Sequence, residues 1–414
     1  MSVEVIGVLI LVAVFVLSGV RGLNMGVLSL VAAFVLGSVV LGHSPEEVLS
    51  GFPAGMFLVL VAVTFLFGIA RVNGTVDWLV RIAVRAVGDR VGAIPWVLFL
   101  LTALLCATGS ASPAAVAIVA PIGITFAVRH RVNPLYAGLM AVNGAAAGSF
   151  APSGILGGIV HSALAADDLP VSAGQLFAGT FAFNLAAAAV TWLVFGRKPL
   201  TSGDAECAGD ADTGAPAPRL GREQIATLAA MAAMVLGTTV FSLDTGFVAL
   251  TLAALLALLF RSTARDATKE IAWPVVLLVC GIVTYISLLQ EIGVVDSLGT
   301  TIAAVGAPLL AALMICYVAG VVSAFASTTG ILGALMPLSI PFLESGAIGT
   351  TGMVIALASA ATVVDASPFS TNGALVVANS PERLRTDVCR GLLRWGAGVC
   401  VLAPACAWLA FVVI

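Results

Sequence analysis

The chain has 414 residues, of which 60% are hydrophobic and only 9% are charged, and its formal net charge is −3. Soluble domains carry roughly 25% charged residues, so this composition excludes a soluble protein and predicts an all-α polytopic membrane protein. No basic surface for a nucleic-acid partner is indicated. The seven cysteines form no Cys-x-x-Cys pair and the three histidines lie far apart, so we expect no transition-metal site.

The first half of the chain contains seven apolar segments followed by a polar linker. They lie near 3–20, 24–42, 55–71, 92–107, 112–128, 135–163 and 175–196. The charged residues Asp77, Arg81, Arg85 and Asp89 recur every four positions, which predicts an amphipathic helix in the membrane interface. The linker over 199–221 is rich in Gly, Ala, Pro and acidic residues, which is typical of a flexible connection on the cytoplasmic side.

The second half repeats the pattern of the first. Its apolar segments lie near 224–242, 246–260, 272–290, 301–324, 328–343, 347–378 and 391–414. Pro121 pairs with Pro337, and Gly154 pairs with Gly373 at nearly the same separation along the chain. The order and spacing of these matches indicate an internal duplication. The predicted repeats are 1–198 and 222–414.

The distribution of charge predicts the topology. We expect 92–128 and 301–343 to form re-entrant hairpins, which leaves five crossings in each half and makes the second repeat inverted. This arrangement places all 18 basic residues on one face of the membrane. By the positive-inside rule that face is cytoplasmic, in an inner (plasma) membrane, and both termini are external.

Four short polar stretches interrupt the apolar pattern. Two would lie at hairpin tips, and two would break the long helices predicted over 135–163 and 347–378. Irregular backbone persists at membrane depth only where protein or a cavity satisfies it. Broken helices offer N-termini to anions, and carbonyls and hydroxyls to sodium. The four stretches are 108–113, 148–154, 325–330 and 363–373.

The sequences "VVDASPFSTNGALVVAN" and "ASTTGILGALMPLSIPF" resemble those of MatC-like malonate and dicarboxylate carriers. These carriers are similar to the divalent anion–sodium symporters of the ion transporter superfamily. The resemblance implies ten spans plus two hairpins, a homodimer with a static scaffold, and an elevator-type transport domain.

In the symporters each hairpin tip carries Ser-Asn-Thr, ten residues before a proline. Counting back from Pro337 gives Ser327, Thr328 and Thr329, and counting back from Pro121 gives Ala111, Ser112 and Pro113. Neither tip has the asparagine, and in the first a proline replaces the threonine.

We therefore predict a secondary active transporter of a small dicarboxylate, malonate or a four-carbon acid. Its coupling ion would be sodium, with protons as the alternative, and no other cofactor is expected. Its partners would be the carboxylate substrate and the lipid bilayer. The candidate substrate-binding residues are Ser110, Ser112, Ser153, Thr328, Thr329, Ser370, Thr371 and Asn372. The candidate cation-binding residues are Ser112, Ser149, Gly154, Ser327, Thr328, Asp365 and Ser367.

Asp365 is the only acidic residue assigned to the interior of a predicted span, and no basic residue is assigned there. A charge at a helix centre costs roughly 2.5–3.5 kcal/mol on insertion scales, so such residues usually face a cavity or a partner. We predict that Asp365 stabilises the coupling cation. The alternative is a helix-capping aspartate that holds the break in shape.

Three other functions fit parts of this pattern. The chain could be the large membrane subunit of a tripartite carboxylate transporter, which would need a soluble binding protein. It could also be a cation/proton antiporter of the same superfamily, or an intramembrane enzyme. His-Glu-x-x-His, Gly-x-Ser-x-Gly and Walker sequences are absent, so we expect no catalytic residue and no enzymatic activity.

Overall fold

In the computed structural model the regular structure is helical, and no strand occurs in the part of the chain that is described. Most of the predicted linker (199–219), the start of the second predicted hairpin (301–307) and Ser327 lie outside the described residues. Those residues are 3–21, 23–87, 91–129, 132–165, 169, 171–196, 220–241, 243–294, 308–324, 328–344 and 348–413.

Ten α-helices are described in the first half. They are α1 (Val3–Arg21), α2 (Met25–Phe34), α3 (Pro45–Ser50), α4 (Ala54–Val72), α5 (Thr75–Val87), α6 (Ile94–Ala107), α7 (Ser112–Arg129), α8 (Pro134–Gly148), α9 (Ile155–Ala165) and α10 (Ala173–Phe195). A π-helical stretch, Val35–Val40, extends α2, and a short 3₁₀ turn, Val91–Ala93, precedes α6. The amphipathic segment is helical from Thr75 to Val87, as its charge spacing predicts, and Asp89 lies outside the described residues.

Nine α-helices are described in the second half. Its helices are α11 (Arg222–Thr239), α12 (Thr245–Leu259), α13 (Arg261–Ala267), α14 (Trp273–Glu291), α15 (Pro308–Ser323), α16 (Thr328–Glu344), α17 (Thr350–Val363), α18 (Thr371–Ala378) and α19 (Glu382–Trp408). Short 3₁₀ turns lie at Thr268–Glu270 and Val364–Ala366, and a π-helical stretch, Leu409–Val413, ends the chain's last helix.

Polar caps and prolines determine where several helices begin. The Asn24 side chain accepts a hydrogen bond from the Gly26 amide at 2.9 Å, and Asp244 accepts one from the Phe247 amide at 2.9 Å. Such caps satisfy backbone donors that the first turn leaves free. Pro274 lies in the first turn of α14, where its missing N–H costs nothing.

Five of the described helices are long and apolar enough to cross a membrane by length and composition. They are α4, α10, α14, the broken pair α17–α18, and α19 with its extension. Shorter apolar helices of 10–17 residues occupy most of the other predicted segments. These helices agree with the prediction of a multi-pass membrane protein, because a bilayer core requires about 20 apolar residues per span.

Two broken helices occupy the interior of the protein. Helix α8 is buried from Pro134 to Gly148, and α9 starts only at Ile155 after a non-helical stretch. Helix α17 is almost entirely buried, and a 3₁₀ turn and a further bend separate it from α18. Helices α6, α7 and α10 pack around α8, and α15, α16 and α19 pack around α17. Both breaks coincide with the polar stretches that interrupt the sequence pattern.

Glycines allow α6 and α8 to approach closely. A Cβ atom on Gly144 would collide with the carbonyl oxygen of Phe99, and one on Gly148 would collide with that of Ala103. Small residues of this kind let helix backbones touch inside membranes. Gly148 is also the last residue of α8, so this contact fixes the position of the first break.

We expect Gly148→Ala to destabilise the protein, although alanine favours helix over glycine. The added methyl group must displace the α6 backbone, and overpacking of this kind costs about 1–3 kcal/mol. Thermal unfolding in detergent measures the effect. Gly398→Ala is the matched control, since no atom lies within 4 Å of the added carbon in α19. Equal melting temperatures for the two variants would contradict the close contact.

Candidate functional site

Described residues from all four polar stretches line one cavity of about 380 Å³. Pockets for small molecules commonly have volumes of ~300–1,000 Å³. The starts of α7 and α16, both helix breaks and the starts of α2 and α14 contribute to its wall. The lining residues are Asn24, Ala111, Ser112, Pro113, Ala114, Ala146, Ser149, Ile155, Leu156, Ala272, Pro274, Val275, Leu278, Thr328, Thr329, Thr362, Asp365 and Thr371.

Six described helices begin at this cavity: α2, α7, α9, α14, α16 and α18. Each helix N-terminus carries about half a positive elementary charge and free N–H groups. An anion in the cavity would therefore be attracted without any basic side chain. The first residues of these helices supply the lining at Asn24, Ser112, Ile155, Pro274 and Thr328, together with Thr371 of α18.

The C-terminal ends of α8 and α17 also border the cavity. The Ser149 hydroxyl donates to the Ala145 carbonyl at 2.7 Å, and the Thr362 hydroxyl donates to the Ala358 carbonyl at 2.9 Å. A hydroxyl has one proton and two acceptor lone pairs, so both oxygens retain acceptor capacity for a cation. This end of the cavity therefore offers oxygen ligands of the kind that sodium takes in broken-helix transporters.

Asp365 lies at the centre of a polar network in the second break. The side-chain amide of Asn372 donates to the Asp365 carboxylate at 2.8 Å and to the Ser112 hydroxyl at 2.7 Å. Thr328 at the start of α16 lines the same cavity, and its hydroxyl lies 2.9 Å from the hydroxyl of Ser323 at the end of α15. The Asn372 amide therefore connects the start of α7 to the second break.

The amide oxygen of Asn372 is the acceptor that this network leaves unused. Asn372 is 0% exposed, and its Oδ1 atom has no hydrogen-bond partner among the described residues. An unpaired buried polar atom costs roughly 1–3 kcal/mol. Because this oxygen belongs to the side chain that binds Asp365, a cation or its hydration water is a fitting partner for it.

Asp365 is the only charged residue in the cavity lining, and no lysine or arginine occurs in it within the described part of the chain. The electrostatic character of the site therefore comes from one carboxyl group, several hydroxyls and the helix ends. An ionised carboxylate in such a site would attract a cation, and the helix N-termini would attract an anion. The arrangement is suited to binding both together.

The predicted site residues fall into two groups. Those that line the cavity are Ser112, Ser149, Thr328, Thr329, Asp365 and Thr371. The other predicted residues that the structure describes do not line the cavity: Ser110, Ser153, Gly154, Ser367, Ser370 and Asn372. Among these, Asn372 donates to the side chains of two lining residues, Ser112 and Asp365.

Other residues behind the lining direct polar groups to the backbone. The Ser153 hydroxyl donates to the Ala107 carbonyl at 2.5 Å and fastens the first break to the end of α6. Ser370 caps α18 by accepting from the Gly373 amide at 3.2 Å, and it donates to the Asp365 carbonyl at 2.6 Å. A Cβ atom on Gly373 would strike the Ser367 carbonyl oxygen, so this tight turn requires glycine.

Sequence reasoning missed the contribution of α2 and α14. Asn24 joins these helices, because its side-chain amide donates to the Pro274 carbonyl at 2.9 Å while its oxygen caps α2. The available signals were an asparagine before one apolar segment and a proline at the start of another. Both indicate helix starts, but neither indicates that the two starts meet at a site.

The comparison with protein families covers the first part of the chain. Residues 1–149 match the family described as "Dicarboxylate carrier protein MatC N-terminus". The matched region runs from α1 to the start of the first break and includes the turn between α6 and α7. No curated protein matches the chain. The similarity of residues 1–149 to the MatC N-terminus, together with the apolar helices, supports a membrane-embedded carrier of dicarboxylates.

Proposed function

We propose that this protein is a cation-coupled secondary transporter of a small dicarboxylate, malonate or a four-carbon acid. The observation that carries the proposal is the convergence of six described helix N-termini on a cavity whose only charged lining residue is Asp365. Helix ends and hydroxyls would hold the substrate carboxylates. Ser112, Thr328, Thr329 and Thr371 are the hydroxyl residues at these ends.

The electrostatics of the cavity favour co-transport of cations. Two like unit charges 4 Å apart repel by about 4 kcal/mol at the effective dielectric of a protein surface. A dicarboxylate dianion would meet the charge of Asp365 without any basic side chain to offset it. We propose that sodium ions offset it, held by Asp365, Ser149 and the Asn372 amide oxygen, with protons as the alternative coupling ion.

The short length of α6 supports a re-entrant arrangement of the first pair. Helix α6 has 14 residues, which corresponds to about 21 Å at 1.5 Å per residue. A bilayer core is about 30 Å thick, so α6 alone does not span it. We propose that the α6–α7 and α15–α16 pairs enter and leave the membrane on one side, as halves of two inverted repeats.

The proposed transport cycle is of the elevator type. The hairpins and broken helices would move together, because hydrogen bonds of Asn372 join Ser112 at the start of α7 to Asp365 in the second break. Helices α2, α4, α12 and α14 would belong to the static scaffold, which we propose dimerises with a second copy in the inner membrane. Both termini would be external, because the basic loops would face the cytoplasm.

A cation/proton antiporter is the second candidate. The observation that favours it is Asp365 itself, a carboxyl group at the cavity without a basic partner in the lining, since carboxylates of this kind mark cation pathways in membranes. The convergence of helix N-termini favours the anion carrier instead. Transport measurements separate these functions.

The test is uptake into proteoliposomes with labelled malonate, succinate, acetate and citrate, under separate sodium and proton gradients. We expect malonate or succinate to accumulate, and accumulation to require one of the two cation gradients. Cation exchange that proceeds without any carboxylate would favour the antiporter. Absence of carboxylate uptake under every gradient, with correctly inserted protein, would refute the proposal.

A further inference from the structure

A second cavity, of about 290 Å³, lies at the other end of α14. The first cavity is lined by α14 near Pro274, and the second by α14 near Gln290. These positions are about 24 Å apart along the helix at 1.5 Å per residue. The second cavity also borders the start of α4, together with Ala163 of α9 and Pro337 of α16. It thus lies between the same two groups of helices as the first.

Helices α4 and α14 occupy equivalent places in the two halves and have the same geometry. Each has 19 residues. The Ala54 amide donates to the Phe52 carbonyl at 2.9 Å, and the Trp273 amide donates to the Ile271 carbonyl at 2.7 Å. Each helix is followed by a glycine with a positive φ, 75° at Gly74 and 77° at Gly293. The local hydrogen bonds therefore define which residues correspond, with Ala54 equivalent to Trp273.

This correspondence relates the two cavities to each other. The first is lined by Ala272, Pro274 and Val275 at the start of α14. Their equivalents at the start of α4 are Pro53, Gly55 and Met56, and all three line the second cavity. The caps agree as well, since Asn24 at the start of α2 corresponds to Asp244 at the start of α12.

The correspondence between α4 and α14 does not extend to the contacts that these two helices make with the hairpins and the broken helices. Helix α16 packs along α14, and a Cβ atom on Gly330 would lie 3.3 Å from Leu278. Helix α9 packs along α4, and a Cβ atom on Gly158 would lie 3.2 Å from Val59. The corresponding pairs, α7 with α4 and α18 with α14, do not make comparable contacts within the described residues.

We infer that Pro53, Gly55 and Met56, which line the second cavity, form a second substrate-facing station on the scaffold. At this station the hairpin tips and breaks would present the same carboxylate to the opposite side of the membrane. This inference rests on the proposed transport function and adds the residues of its second state. The cavity at Ala272–Val275 is the first station, and in the present structure the starts of α7 and α16 and the two breaks lie at it.

The correspondence also specifies the contacts of the second state. Gly330 is equivalent to Ala114 when Pro337 is aligned with Pro121, and Gly158 is equivalent to Val377 when Gly154 is aligned with Gly373. At the second station Val59 would leave Gly158 and contact Ala114. Leu278 would leave Gly330 and contact Val377. Each scaffold residue would thus exchange one partner for another.

Double-cysteine cross-linking tests this exchange in membranes, starting from a transport-active variant in which the seven native cysteines are replaced. Two pairs report the present arrangement, Val59→Cys with Gly158→Cys and Leu278→Cys with Gly330→Cys. Two pairs report the second station, Val59→Cys with Ala114→Cys and Leu278→Cys with Val377→Cys. Carboxylate uptake by each variant is measured before cross-linking, after it, and after reduction.

We expect all four pairs to cross-link. Each cross-link should abolish more than nine-tenths of uptake, and reduction should restore it. If the first two pairs cross-link but the second two do not, while the uncross-linked protein transports a dicarboxylate, the second station is wrong and the proposed function stands. If the cysteine-free and parent proteins take up no carboxylate at all, the proposed function itself fails. Uptake that continues through cross-linked protein would also overturn the station.

Discussion

Asp365→Asn is expected to lower dicarboxylate uptake by roughly 10- to 100-fold and to flatten its dependence on the coupling cation. The amide keeps the size of the side chain but removes its charge. Hydrogen bonds to charged groups are worth about 1.5–3 kcal/mol, and each 1.4 kcal/mol is about a tenfold change. The substituted amide would also place an NH₂ group near the Asn372 amide, which now donates to the carboxylate.

Initial uptake rates at a series of sodium concentrations and pH values measure this effect, with substrate selectivity recorded in parallel. Asp387→Asn is a matched control, because Asp387 is exposed and lies 3.8 Å from Arg390 on α19. If Asp365→Asn keeps the parent's cation dependence and the parent's rate, Asp365 only caps the break and the coupling role is wrong.

Asn372→Ala is expected to reduce uptake by about 10-fold or more. We expect KM for the substrate and for the cation to rise, and the amount of inserted protein to change less. The variant removes the hydrogen bonds that connect Ser112 at the start of α7 to Asp365 of the second break. Two buried hydrogen bonds, one of them to a carboxylate, contribute about 2–4 kcal/mol together. Without these hydrogen bonds, the positions of Ser112 and Asp365 relative to each other would no longer be fixed.

Asn379→Ala provides the control for this variant. Asn379 follows the same short helix, but its side chain donates to the Leu375 carbonyl at 2.8 Å and does not line the cavity. We expect its uptake to stay within about twofold of the parent, since substitutions away from a buried network change stability little. Equal loss in both variants would indicate a general effect on α18, and normal uptake in Asn372→Ala would remove Asn372 from the site.

Much of the fold can be predicted from the sequence, because membrane helices require long apolar runs and helix breaks require polar residues or proline. The breaks after Gly148 and after Val363 fall inside the stretches that the sequence predicts. Helix α3 is different, since it lies between two apolar runs and depends on a capping box formed by Ser44 and Glu47. A segment this short has little periodicity, so pattern reasoning missed it.

The composition of the site is less predictable than its location. In the sequence, every hydroxyl residue near a break is an equally good candidate for the site. In the structure Ser149 lines the cavity, whereas the Ser153 hydroxyl donates to the Ala107 carbonyl. The difference depends on how the turn folds, which a one-dimensional pattern does not contain. The contribution of Asn24 depends on the packing of α2 against α14, a contact between residues 250 positions apart.

Protection of a cysteine by substrate tests the central claim most directly, namely that the cavity around Asp365 binds the dicarboxylate. Thr329→Cys places a thiol in the cavity lining, and Thr268→Cys places one on an exposed turn outside it. In a variant without the native cysteines, we expect malonate or succinate to slow alkylation at position 329 at least fivefold, with acetate having little effect and position 268 unchanged. Alkylation of Thr329→Cys at the same rate with and without every transported carboxylate would contradict the account.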